Sequence, residues 1–92
     1  MNYRAAVLLL ACAAAHAALP EMTADAPGGG RVDLYTEAGP CMGDARRAEY
    51  VPANGPAVPG CWVLTGRVVA VVYFDADTGQ IPVAALKKPK TL

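Results

Sequence analysis

The chain contains no serine, and in 92 residues it has one histidine, one tryptophan and one phenylalanine. Without serine there is no Ser–His–Asp nucleophile. The lone His16 lies in an N-terminal stretch that reads as a cleaved signal, so the mature chain would also lack an imidazole for acid–base work or metal ligation. No sign of charge is in excess: Lys plus Arg and Asp plus Glu are 8 each, for a net charge of zero. That balance excludes the strongly basic surface of a nucleic-acid binder and the acidic composition of a disordered tail. No apolar run reaches the roughly 20 residues of a membrane-crossing helix, so no transmembrane anchor is expected in the mature chain. These absences predict a non-enzymatic protein with no cofactor and no metal, and the length predicts one small domain.

What is present begins with an export signal. Met1–Arg4 supplies one arginine, Ala5–Ala15 an apolar run, and Ala15-His16-Ala17 small residues at both recognition positions of signal peptidase. Cleavage after Ala17 leaves residues 18–92, which keep all 9 glycines and all 8 prolines. That density suits short elements joined by turns. Leu9-Leu10-Ala11-Cys12 resembles a lipobox, which makes Cys12 an alternative site of lipidation and membrane anchoring. The expected location is the periplasm or the exterior, with a lipoprotein as the alternative.

Either cleavage leaves Cys41 and Cys61, and in an oxidising compartment two thiols usually become one disulfide. Closing that loop is worth about 3 kcal/mol by chain-entropy estimates. Neither a Cys-x-x-Cys pair nor four zinc ligands are present, so a structural staple is expected.

The segments between turns read as strands. Residues 18–30 form an N-terminal segment whose front could be a short edge strand and whose Ala26–Gly30 end is a flexible turn. Residues 31–36 alternate, with Val32 and Leu34 on one face. Residues 44–51 fit a strand ending at Pro52, with one helical turn capped by Asp44 as the alternative, and Arg46-Arg47 fits the charge of a protected strand edge. Pro52–Gly60 is a turn region containing Asn54-Gly55. Cys61–Leu64 and Arg67–Phe74 then flank Thr65-Gly66 as a hairpin, with Leu64 opposite Arg67 and Trp62 opposite Val69. One face carries Trp62, Val69, Val71 and Tyr73; the other carries Cys61, Val63, Val68, Ala70, Val72 and Phe74. Two apolar faces predict a central hairpin covered on both sides. Asp75–Gly79 follows as a turn in which Gly79 takes positive φ. Gln80–Val83 is an edge strand because Pro82 cannot donate, Val83–Leu86 a single helical turn, and 87–92 a basic tail. The expected fold is all-β: an antiparallel meander or partly open barrel of four to six strands, occupying residues 31–86.

Few residues suggest a site. Asp75-x-Asp77 lacks the further ligands of a calcium loop, and a chain this short leaves little material for a sugar-cleaving cleft around two carboxylates. Trp62, Tyr73 and Asn54 are the candidate interaction residues, with Tyr35 and Tyr50 able to extend an aromatic face. Trp62 also suits a core position.

The Gly60-Cys61-Trp62 stretch, the valine-rich strand after it, the acidic turn and Ile81-Pro82 together resemble a group of small exported two-cysteine proteins of proteobacteria and their prophages. The likeness runs from about Gly28 to Leu86. It implies export and no particular activity. The acidic turn often reads Asp-Gly-Asp in that group and is Asp75-Ala76-Asp77 here, and Leu86 stands where an aromatic is common. Two functions remain open: a module binding a protein or envelope component, encoded by a phage or mobile element, or an inhibitor of a secreted protease or lysozyme-like enzyme presenting the Pro52–Gly60 loop.

Overall fold

A computed structural model describes residues 20–89. The expected signal segment and Cys12 lie outside them. Six strands, β1 (Met22–Asp25), β2 (Arg31–Leu34), β3 (Arg46–Val51), β4 (Val58–Thr65), β5 (Val68–Tyr73) and β6 (Thr78–Pro82), form one antiparallel sheet in chain order. The sheet curls into a half-barrel. Short 3₁₀ turns occupy Pro27–Gly29 and Val83–Ala85.

Side-chain alternation places one set of residues inside the curl. Val32, Leu34, Ala48, Val69 and Val71 are its buried centre, and Met22, Tyr50, Trp62, Tyr73, Ile81 and Leu86 pack around them. The sheet therefore begins within the expected N-terminal segment: β1 pairs with β2, and Ala24 is 2% exposed. The tail is engaged too, since Lys87 exchanges both backbone hydrogen bonds with Thr23.

The β4–β5 hairpin differs from expectation in register. Thr65 pairs with Val68, Leu64 with Val69 and Trp62 with Val71. The two-residue loop is Gly66-Arg67, because a type II′ turn needs positive φ at its first central residue and Gly66 supplies it at 65°. The resulting shift is two residues, so every side chain keeps its expected face. The expectation of cover on both faces fails. Val72 and Phe74 are each 57% exposed, because the curl closes over one face and leaves the other outside. β3 lies between β2 and β4, so Arg46 and Arg47 do not guard an edge. The Arg47 guanidinium instead lies 3.7 Å from the centre of the Tyr35 ring and bonds Glu37 at 2.6 Å.

The β5–β6 turn also departs from its expected form. Ala76 N–H donates to Tyr73 O and Tyr73 N–H to Asp77 O, which defines a three-residue loop, Phe74–Ala76. The positive φ falls on Ala76, at 79°, while Gly79 sits inside β6 opposite Val71. A left-handed alanine costs about 1–2 kcal/mol. Ala76→Gly is accordingly expected to stabilise the fold by about 0.5–1 kcal/mol, the steric relief being partly offset by the freer unfolded chain. Urea denaturation of the two proteins measures this, and no gain would show that the turn is not held in this conformation.

The outer face over β1–β3 holds a buried charge. Asp33, 3% exposed, accepts from Arg31 Nε at 3.1 Å and from Thr23 Oγ1 at 2.9 Å. Both partners are required, since a buried carboxylate without them is strongly unfavourable. Cys41 and Cys61 form the expected disulfide, with Cα atoms 5.8 Å apart. It ties the loop after β2 to the outer face of β4.

Candidate functional site: a cleft at the open seam

β1 and β6 are the two ends of the sheet, and the curl brings them towards each other. After β6 the chain turns through Val83–Ala85 and pairs at Lys87 with Thr23 on the outer edge of β1. That strap closes one end of the seam. The other end remains open as a cleft of about 470 Å³ between the β1–β2 turn and β6.

The cleft floor is apolar and aromatic, contributed by Val32, Tyr50, Val58, Tyr73 and Ile81. Tyr50 and Tyr73 meet edge to face with ring centres 6.3 Å apart. Gly60 makes room for Tyr73, whereas Gly79 only lies beside it. A Cβ on Gly60 would stand 2.9 Å from the ring's Cδ1, and one on Gly79 would stand 3.7 Å from its Cε2. Burial raises the Tyr73 hydroxyl pKa above its ordinary value, with neighbouring Tyr50 and Asp75 adding to the effect. The phenol therefore stays a neutral donor throughout the physiological range.

The rim is acidic. Asp25, Asp75 and Asp77 line the cleft, and among the described residues no lysine or arginine does. Asp25 is paired with Lys87 at 3.0 Å, whereas Asp75 and Asp77 have no ion pair among the described residues. Asp75 Oδ1 accepts the Asp77 N–H at 3.1 Å, which orients the turn.

The sequence candidates separate in space. Tyr73 lines the cleft, and Tyr50 joins it. Trp62 is half-buried against the core, and its Nε1 donates to Tyr35 O at 3.0 Å, so it braces the β2–β3 connection. Asn54 sits on the exposed loop 52–57, away from the cleft lining. Tyr35 lies on the opposite sheet face, beneath Arg47 and 3.4 Å from Glu49 through its hydroxyl. Its pKa is raised by burial and then by Glu49 and Asp33, with Arg47 opposing. A second depression of about 570 Å³ on that face includes Thr23, Asp33, Tyr35 and Glu49, whose polar groups already satisfy one another.

Asp25, Thr78 and Gln80 belong to the cleft and carried no sequence signal. Gly60 was the available hint, since a strand glycine marks close approach by another group. Among the described residues no cluster of three or more His, Cys, Asp or Glu side chains is arranged to hold a metal, and no helix is long and apolar enough to cross a membrane. The cleft offers carboxylates, two phenols, a threonine and a glutamine, which can bind and orient a ligand. Comparison with protein-family models, curated proteins and solved structures finds no match to this chain.

Proposed function

We propose that the protein is an exported, non-enzymatic β module that binds a protein or envelope component at the seam cleft, and that it serves a phage or mobile element. The cleft itself carries the reading. It combines an apolar aromatic floor with a few polar groups at its rim, the usual make-up of a binding site. It lies on a rigid sheet, so little ordering would oppose binding. The disulfide and the signal-like N-terminus support export.

Two measurements test this. The intact mass of protein recovered from the envelope of an expressing bacterium should match residues 18–92 less two hydrogens, with two alkylations only after reduction. A diacylglyceryl chain starting at Cys12 would make it a lipoprotein, and an uncleaved chain with free thiols would overturn export. Immobilised protein should then capture one envelope component saturably, and Val58→Trp, which fills the cleft, should weaken capture at least tenfold while the fold melts normally. Equal capture by that variant would remove the cleft from the binding site.

A further inference from the structure

Among the described residues the backbone of β6 is paired on one side only. Tyr73 N–H donates to Asp77 O at 2.8 Å and Val83 N–H to Arg67 O at 2.9 Å. Between them the register sets Val71 opposite Gly79 and Val69 opposite Ile81. The ladder to β5 thus runs through odd-numbered β6 residues, and alternation turns the N–H and C=O groups of Thr78 and Gln80 away from β5, towards the seam. Pro82 falls in the same outward row, where its missing N–H costs no ladder bond.

β1 faces the seam in the same way. Its ladder to β2 runs through even-numbered residues, since Ala26 N–H donates to Gly30 O. The outward residue Thr23 is occupied by Lys87. The next outward residue, Asp25, lies beyond that bridge and lines the cleft. Among the described residues the open seam therefore has an unpaired strand edge on β6, one outward residue on β1, an aromatic floor between them and carboxylates at the rim.

We infer that the seam takes an extended segment of a partner polypeptide carrying lysine or arginine, which adds to β6 as a further strand and lays a basic side chain against Tyr50 and Tyr73. Resting on the binding reading above, this names the chemistry of the partner. The free edge supplies main-chain hydrogen bonds, as in strand addition to an exposed sheet edge. The floor accepts the methylene stem of a long basic side chain, the tyrosine rings attract its cation, and Asp75 and Asp77, which have no ion pair among the described residues, meet its charge. An acidic segment would place like charges together there.

The test uses the disulfide-intact protein, ¹⁵N-labelled, and a capped heptapeptide of alternating valine and lysine. Titration should shift the amides of Thr78, Gln80 and Asp25 and saturate below millimolar peptide. The same peptide with glutamate for lysine should bind at least tenfold more weakly. So should the lysine peptide to the Asp75→Asn, Asp77→Asn double variant, in which the carboxamide oxygen at position 75 retains the turn's side-chain acceptor. N-methylating alternate residues of the peptide removes its donors on one edge; one of the two registers should abolish binding and the other spare it. Equal binding of the glutamate peptide would overturn the charge assignment. Indifference to both methylation registers, or equal affinity for capped lysine alone, would overturn strand addition. If no peptide binds while the protein still captures its envelope component, this inference fails and the binding module stands. If the lysine peptide binds at β6 and nothing is captured, the seam chemistry stands and the envelope assignment fails.

Discussion

The protein with Cys41→Ala and Cys61→Ala together is expected to lose about 3 kcal/mol of stability, the loop-closure contribution of a bridge of sequence separation 20. In a domain of this size that lowers Tm by roughly 12–24 °C, at about 4–8 °C per kcal/mol. A chain this short buries only about 60% of its unfolded surface, so the loss is a large part of its total stability. The effect acts chiefly on the unfolded chain, which becomes more expanded without the cross-link. Urea denaturation should therefore show a steeper dependence on denaturant as well as a lower midpoint. The β2–β3 connection has other restraints: Tyr35 N–H donates to Arg47 O, Arg47 N–H to Glu37 O, and the Arg47 and Glu37 side chains pair. A loss below about 0.5 kcal/mol would mean that these restraints, rather than the bridge, organise the loop, because the chain-entropy contribution would then be absent.

Gly60→Ala is the second large effect. Gly60 lies in β4 between Ala48 and Tyr73 in the sheet. A Cβ there would stand 2.6 Å from Val72 O and 3.0 Å from Tyr73 Cα. Both are backbone atoms of the paired strand, so relief requires β4 and β5 to part. Overpacking of this kind costs about 1–3 kcal/mol, and the immovable neighbours put this case at the upper end. The displaced Tyr73 ring should also distort the cleft, visible as weakened ligand capture beyond the loss of stability. Gly79→Ala is the control. Its Cβ would meet Tyr73 only at ordinary contact distance, so it should change stability by less than about 0.5 kcal/mol. Similar losses from both substitutions would attribute the effect to glycine in strands generally and not to the close approach at Gly60.

Local signals made much of the fold legible. The alternation of Val32 and Leu34, the proline after Val51, the hairpin glycine and the edge proline each act within a few residues, and each marks a strand or its end. Gly66 shows where such reading stops. Thr65-Gly66 and Gly66-Arg67 are both two-residue loops ending or beginning in glycine, and only the demand for positive φ at the first position separates them. Ala76 is the converse case: the left-handed residue of the β5–β6 loop is one that no propensity would choose. Asp33 alternates as an outward polar residue should, yet it is buried, because Arg31 and Thr23 close over it from its own strand and the next.

The order of residues alone determined that residues 20–89 would be antiparallel β, that Cys41 and Cys61 would be joined, and which side chains would share a face. All three follow from short-range rules: a period of two, turn residues with fixed φ preferences, and the pairing of two thiols. Which face became the interior, and that the sheet's ends would meet across an incomplete seam, required the whole tertiary structure. Curl accumulates over six strands, and the seam joins β1 to β6, the elements farthest apart in the chain. The cleft is the space left where those ends fail to pair among the described residues, so its tyrosines, carboxylates and the β6 edge come together only once the sheet has closed around them.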